Sequence, residues 1–382
     1  MNEPIEVCEL AASGRDLERF LKFSHSIYRH DPCWVAPLLM DLRSLFSPQN
    51  PFFQHAEMKL FMARQDGRDM GRIAGIQDQN HNGFHGVEET FFGFFEAVND
   101  PSVSQALLGQ VLAWSKSKGS RRLLGPISPS TNHECGLLIE GFDSSPTLMM
   151  TYNPPYYAPL IEVCEFSKAK DLLAFEIELD QHPGERLDRL CNSFRKRQKG
   201  ITVRPVSKKT LEKDLHKIKQ VYNSAWEANW GFVPLTDAEI DFMAERMKPL
   251  LIEGLVYIAE ADGEGVAFLM SVPDFNQVLK PLRGRLLTPR VISVLPYLLG
   301  WKMPSQARVV TLGTRKEFRN RGIEAVMFAK VLQFSLQSGF KRYEASWILE
   351  DNLPVQRLVE LFGGKPSKRY RIYQQDLPTF TA

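Results

Sequence analysis

The segment TRKEFRNRGIEAVMFAKVLQFSLQSGF, Thr314 to Phe340, sets Arg319, Asn320, Arg321 and Gly322 directly before a long run of apolar residues with helical spacing. Arg315 and Lys316 stand just upstream. Guanidinium and ammonium groups attract anions, and a glycine lets a ligand approach the backbone closely. The first N–H groups of a helix lack internal partners, point outward and carry the positive end of the helix dipole. A strand, ARVVTLGT, followed by this loop and helix start therefore has the chemistry of a phosphate-binding turn. Taken alone, a basic loop that only caps a helix has the same composition.

Farther on, Glu344 and Ser346 fall on one face of the strand FKRYEASWI, because side chains alternate along a strand. A carboxylate whose pKa is raised by burial is a candidate general base. The structural alternative is an ion pair with Arg342 or Arg369. Glu350 and Asp351 follow in a loop, where carboxylates more often cap helices.

The elements that must hold these residues are readable in order. Ile5 to Glu9 reads as an opening strand, and SGRDLERFLKFSHSIYR and DPCWVAPLLMDLRSLF as two helices. EMKLFMARQDGRDMGRIAGIQD reads as a hairpin about DGRD, and EETFFGFFEAVND as a strand. SVSQALLGQVLAWSKSKG is an amphipathic helix closed by Gly119, and RRLLGPI is a strand. The second half replays the order: strand ITVRPV, helices LEKDLHKIKQVYNSAWEANW and DAEIDFMAERMKPLLIEG, a hairpin about DGEG, strand ARVVTLGT, helix, strand FKRYEASWI, helix LPVQRLVELFGG and strand SKRYRIYQQ. The stretch from Val103 lies over that from Ile323 without a gap, an offset of 220 that sets Gly119 on Gly339, Arg122 on Arg342 and Trp114 on Phe334. The stretch from Glu162 lies over that from Glu360, an offset of 198. Two collinear blocks mark an internal repeat. The expected fold class is α/β with mixed sheets, divided into residues 1–180 and 181–382.

Composition bounds the function. A chain of 382 residues with 43% hydrophobic and 24% charged residues builds ordinary globular cores. A net charge of +2 argues against nucleic acid as a partner, although it allows a local basic patch such as FRKRQKGITVR, Phe194 to Arg204, whose plainest reading is a solvated helix end. Five scattered cysteines without a CxxC give no metal-site spacing, so no metal is expected, and they suit a reducing compartment. The acidic, polar beginning MNEPIEVCELAASGRDLERF lacks the pattern of a signal peptide, and no run reaches the ~18 apolar residues of a membrane span. A cytoplasmic protein, at most peripheral to the inner face of a membrane, is the expectation.

The second half resembles the GNAT superfamily of acyl-CoA N-acyltransferases. That family's signature, Gln/Arg-x-x-Gly-x-Gly/Ala after its fourth strand, is met by RNRGIE through Arg319 and Gly322, with Glu324 where a small residue is usual. YEASWILEDNLPVQRLVELFGG resembles the fifth strand, the asparagine (Asn352) and the following helix. The resemblance implies acyl-CoA as co-substrate, its pyrophosphate held by Arg319, Asn320, Arg321, Gly322 and Ile323. It implies a thioester aligned on the strand at Leu312, Gly313 and Thr314, with Asn352 contributing to the same site. An amine then attacks the thioester directly, Glu344 acting as base. The tyrosine that many members use to protonate the leaving thiolate is replaced here by Val359, which leaves Tyr370 or Tyr373 for that role. The first half resembles the same domain in element order but carries Glu96 and Asp100 where the phosphate loop would be, so it reads as a degenerate copy.

NQVLKPLRGRLLTPRVISVLPYLLGWKMPSQAR, Asn276 to Arg308, is apolar, carries Lys280, Arg283, Arg285, Arg290, Lys302 and Arg308, and has no acidic residue. That pattern suits a long acyl chain or a bilayer interface, and equally a buried helix with solvated ends. Stretches such as YRHDPCWVAPL, NPFFQHAE, FFGFFE and KRYRIY resemble a bacterial two-domain group associated with acylating a sphingoid amine. The expected acceptor is therefore a long-chain amine. The competing readings are a Fem-type transferase using aminoacyl-tRNA and a non-catalytic acyl-CoA or lipid-binding module.

Overall fold

The computed structural model describes residues 3–179, 184–198, 200–227, 229–286 and 288–378. Two compact units emerge: Met1–Leu172 with Leu282–Leu287 and Lys368–Ala382, and Leu173–Pro281 with Thr288–Ser367.

In the first unit, β1 (Glu6–Leu10), β2 (Ala56–Gln65), β3 (Arg68–Asp78) and β4 (Glu89–Ala97) pair antiparallel in sequence, and β4 pairs parallel with β5 (Arg122–Gly125). The β2–β3 turn places Asp66 and Gly67 at φ 49° and 74°, the left-handed pair that a two-residue hairpin turn needs. The helix Pro101–Ser117 crosses between the parallel strands and buries Val103, Leu107, Leu108 and Val111. Short strands β6 (Ile127–Ser128) and β7 (Glu134–Cys135) pair with each other, and β8 (Leu137–Glu140) precedes β9 (Ser167–Glu178).

The second unit repeats the order. β10 (Ile201–Pro205), β11 (Val256–Ala261), β12 (Glu264–Pro273) and β13 (Gln306–Thr314) pair antiparallel in sequence, and β13 pairs parallel with β14 (Arg342–Leu349). The helix Ile323–Gln337 is the crossover and lies in a core with Leu269, Val309, Tyr343 and Phe362. The last strand is β15 (Lys365–Asp376).

The repeat holds at element level. β5 starts at Arg122 and β14 at Arg342, an offset of 220. β9 and β15 each span 12 residues and start at Ser167 and Lys365, an offset of 198. Gly119 and Gly339, φ 74° and 83°, end the two crossover helices in the left-handed conformation. The units are not contiguous in the chain. Residues 368–376 of β15 complete the first, pairing antiparallel with β5 and β8, while residues 173–178 of β9 lie beside β14 in the second.

Three expectations shift. DPCWVAPLLMDLRSLF is helical only at Leu39–Leu45, because Pro32 and Pro37 push the residues before them out of the helical region. Asn276 to Arg308 breaks into short helical turns around Pro281, Pro289 and Pro296. The helix Gln79–His85, with Asp78 accepting from the N–H groups of Asn80 and His81, was not anticipated.

Candidate active site

The site is built on β13. Its register with β12 slips between Met270 and Ser271, leaving Val310 as an extra residue opposite them. Its parallel register with β14 runs only from Gln306–Arg342 to Val309–Ala345, so Val310–Thr314 and Ser346–Leu349 are not paired with each other. Backbone groups beyond the end of a ladder are open to another partner. Leu312 packs half-buried against the core, and Thr314 is buried, its Oγ1 without a partner among the described residues. Gly313 has a packing reason: a β-carbon built there would overlap the Trp226 ring, whose neighbours are Tyr222 at 5.1 Å and Phe268 at 5.7 Å. Gly313→Ala is expected to cost about 1–3 kcal/mol of overpacking, read as a lower Tm. An unchanged Tm would mean that the ring swings aside freely.

The loop after β13 leads to a helix start of unusual openness. Gly322, φ 79°, is the N-cap of Ile323–Gln337, and no side chain caps it. Asn320, φ 62°, is exposed and also left-handed, a conformation that turns successive N–H groups toward one side. The Ile323 side chain is fully buried in the core, so that residue offers only its backbone outward. Exposed Arg321 lies over the Phe318 ring at 4.8 Å, and Arg315 reaches Glu317 at 3.7 Å. Arg319 is committed to the backbone: Nε donates to the Thr314 carbonyl at 3.3 Å and Nη2 to that of Ala225 at 2.8 Å. Ala225 ends the helix Leu211–Ala225, where unpaired carbonyls favour a cation. Arg319 therefore shapes the loop. Glu324 stands half-buried in the first helical turn, where the dipole favours a carboxylate.

A second source of charge was not foreseen as part of this site. Phe194, near the end of the helix Gly184–Arg197, lies 3.9 Å from where a β-carbon of Gly322 would be. The exposed Lys196 and Arg197 follow it, so part of the FRKRQKG segment stands beside the helix start, while Lys199 lies outside the described residues. Sequence spacing alone had no means of joining positions so far apart.

The equivalent helix start in the first unit is closed. Asp100 accepts from the N–H of Ser102 at 2.9 Å, and Pro101 occupies the first turn. Glu96 is buried: its Oε2 accepts from the Tyr157 hydroxyl at 2.7 Å and its Oε1 lies 3.6 Å from Arg72. Burial pushes the Glu96 carboxyl above the usual carboxylate range against the pull of Arg72, and pushes the Tyr157 phenol well up.

Glu344 is 3% exposed and stands in register with Arg308 across β13 and β14. Ser346 Oγ donates to Glu344 Oε1 at 2.6 Å and accepts from Arg308 Nε at 2.9 Å; Arg308 Nη2 donates to the Ser346 carbonyl at 3.1 Å, and Nε lies 4.0 Å from Glu344 Oε1. The Arg308 guanidinium also lies over the Trp347 ring at 5.3 Å. This corrects two expectations. The partner of Glu344 is neither Arg342, which reaches Glu176 at 3.7 Å, nor Arg369, which reaches Glu140 and Asp171. Arg308, grouped in sequence with the basic flanks of its segment, is 2% exposed. The missed signal was a lone arginine between Ala307 and the apolar pair Val309 and Val310 of a strand.

The remaining candidates fall elsewhere. Asn352 Oδ1 accepts from the Val355 N–H at 3.4 Å and caps Leu353–Leu361. Val359 is a core residue against which Gly364 packs. Tyr370 and Tyr373 belong to the first unit and are buried there. Tyr373 donates to Glu162 Oε1 at 2.9 Å, and burial raises its phenol pKa, which makes it a reluctant proton donor. No group of three or more His, Cys, Asp or Glu among the described residues could hold a metal ion.

No family model matches the chain. It is 34% identical over 368 residues to Protein YghO of Escherichia coli (strain K12), covering 95% of this chain and 93% of that protein. It is 32% identical over 368 residues to the bacterial ceramide synthase of Caulobacter vibrioides, covering 95% of each. Among solved structures, a tandem GNAT protein from the clavulanic acid biosynthesis pathway aligns with a TM-score of 0.57 at 13% identity, covering 97% of this chain and 98% of that one. A GCN5-related N-acetyltransferase from Sphaerobacter thermophilus aligns with a TM-score of 0.51 at 12% identity, covering 97% and 95%. At these identities the solved structures speak for the fold.

Proposed function

Since the chain belongs to the tandem GNAT family that includes Escherichia coli YghO and the Caulobacter vibrioides bacterial ceramide synthase, we propose that it transfers a fatty acyl group from acyl-CoA to a long-chain, sphingoid-type amine. The protein is an acyltransferase with a GNAT fold. The observation that carries the proposal is the contrast between its two helix starts: Asp100 closes the first, and Gly322 leaves the second open beside Arg321, with Phe194 of the basic helix end 3.9 Å from where a β-carbon of Gly322 would be. Only the second is electrostatically prepared for a pyrophosphate. The sphingoid acceptor rests on the named activity of the Caulobacter relative.

In this reading, the end of the β13–β14 ladder leaves Val310–Gly313 unpaired by β14, where an acyl carbonyl can be aligned and its developing oxyanion stabilised by an N–H near Leu312 or Gly313. The amine nitrogen attacks the carbonyl carbon, the C–S bond breaks, and CoA leaves as the thiolate. Glu344, held by Ser346, takes the amine proton. Arg321 and the N–H groups of the helix start bind the pyrophosphate, and Arg319 keeps the loop in shape. Asn352 contributes through the turn that it caps. Tyr370 and Tyr373 are less suited to protonating the thiolate than their sequence positions promised. A transferase taking aminoacyl-tRNA is disfavoured by a net charge of only +2.

Incubation with palmitoyl-CoA and sphinganine is the test, read as free thiol and as N-acyl product by mass spectrometry. Stoichiometric amide and thiol support the reading. A thermal shift with CoA but no thiol release from any amine would leave a binding module, and no shift with any CoA would end the proposal.

Arg321→Ala is expected to raise KM for acyl-CoA about 10-fold or more, as loss of a charge-assisted phosphate contact should, with kcat little changed. Arg319→Ala should raise KM more than it lowers kcat, together with a modest fall in Tm from the two lost carbonyl bonds. Equal losses in kcat and kcat/KM would place either residue at the transition state instead.

A further inference from the structure

We infer that the segment Pro289 to Met303 of the second unit is a docking element that seats the protein on an anionic bilayer surface. The inference extends the lipid-amine reading and takes its purpose from it. Ten large hydrophobic side chains are exposed among the described residues, and five lie within twelve positions here: Ile292 at 68%, Leu295 at 43%, Leu299 at 56%, Trp301 at 77% and Met303 at 36%. Exposed apolar residues scattered singly are ordinary, whereas a contiguous group marks a surface that meets something.

The segment is folded despite its exposure. Val294, 2% exposed, anchors it from within. Its backbone is satisfied locally: Tyr297 N–H donates to Val294 at 3.0 Å, Leu299 to Leu295 at 2.9 Å, Trp301 to Pro296 at 2.8 Å and Lys302 to Pro296 at 3.0 Å. These bonded N–H groups need no water partner if the segment's apolar side reaches the boundary between headgroups and acyl chains.

Charge selects the occupant. From Thr288 to Ala307 of the second unit the chain has Arg290 and Lys302 and no Asp or Glu, although the whole protein has a net charge of only +2. Exposed Arg290 and Lys302 flank Ile292 to Trp301. Apolar side chains with a tryptophan, flanked by cations, are the composition of an element lying in the interface of a membrane with anionic headgroups. A second copy of the chain fits less well, because a two-fold contact would bring each copy's Arg290 and Lys302 against like charges. No helix among the described residues is long and apolar enough to cross a membrane, so the element would lie on the surface.

The test is co-sedimentation of the full chain with vesicles of phosphatidylcholine alone and mixed with phosphatidylglycerol. Binding is expected to require phosphatidylglycerol. It should fall about tenfold or more in Leu299→Ser/Trp301→Ser and, separately, in Arg290→Glu/Lys302→Glu, because apolar burial and cationic attraction both contribute. The exposed positions predict an unchanged thermal shift with palmitoyl-CoA in both variants and an unchanged Tm in Leu299→Ser/Trp301→Ser; Arg290→Glu/Lys302→Glu also loses the Arg290 bond to the Pro281 carbonyl at 3.2 Å, which predicts a small fall in Tm. Failure to bind mixed vesicles, equal binding by either variant, or a wild-type dimer that the Leu299→Ser/Trp301→Ser variant dissolves would overturn the inference. Amide formation with a detergent-dispersed amine reports separately on the acyltransfer reading. If that fails while vesicle binding behaves as expected, the docking element stands and its substrate is something else.

Discussion

Glu344→Gln is expected to lower kcat by on the order of 10² to 10⁴, the range that a positioned general base supplies, and to flatten the acid limb of the rate–pH profile. The substitution preserves shape: a glutamine oxygen can still accept from Ser346 Oγ, now 2.6 Å from the carboxylate. It removes the ability to take a proton. A structural role predicts a different pattern, with a reduced Tm and the same pH dependence in the activity that remains. Measuring kcat across pH beside Tm separates the two. Unchanged pH dependence would remove Glu344 as the base and leave the amine to be deprotonated before it binds.

The largest stability effect should come from the partner. Arg308→Met takes the nearby guanidinium from the Glu344 carboxylate, which is 3% exposed, and removes the 2.9 Å bond from Arg308 Nε to Ser346 Oγ. Breaking one side of a buried ion pair costs about 3–5 kcal/mol, most of it the penalty on the charge left behind. A drop in Tm of roughly 6–20 °C follows for a unit of this size. The double variant Arg308→Met/Glu344→Gln should recover much of that loss, because both members of the pair lose their charge together. A double variant no more stable than Arg308→Met would show that the arginine acts mainly through packing, with the Trp347 face at 5.3 Å as the first place to look.

The contrast between these two residues shows what the sequence made legible. Glu344 was visible because alternation along one strand sets it on a face with Ser346. Arg308 was not, because its burial depends on parallel register between two strands separated by the Ile323–Gln337 helix, and register is a tertiary quantity. The hairpins at Asp66–Gly67 and Asp262–Gly263 were readable from two residues each, since the turn demands left-handed backbone that few other residues accept. The internal repeat was readable to the residue, with offsets of 220 and 198. The basic loop after β13 was readable in composition but not in the geometry of its side chains. Arg319 bonds the carbonyls of Thr314 and Ala225, and the residue packed near Gly322, Phe194, comes from more than a hundred positions earlier. Proline-rich stretches misled most, because apolar periodicity continued through Pro37, Pro281 and Pro296 where the backbone did not.

The strand that completes the first unit has a consequence for how the protein is made. Arg122 of β5 bonds to Asp376 of β15, 254 positions later. A nascent chain that has released all of β1 to β9 from the ribosome still presents β5 with one edge unsatisfied. At about 5–20 residues per second, that edge waits on the order of tens of seconds for its partner. An open strand edge is a template for the wrong neighbour. Chaperone dependence during synthesis, and aggregation of chains that stall before residue 368, would then trace to strand β5 rather than to any weakness of the finished fold.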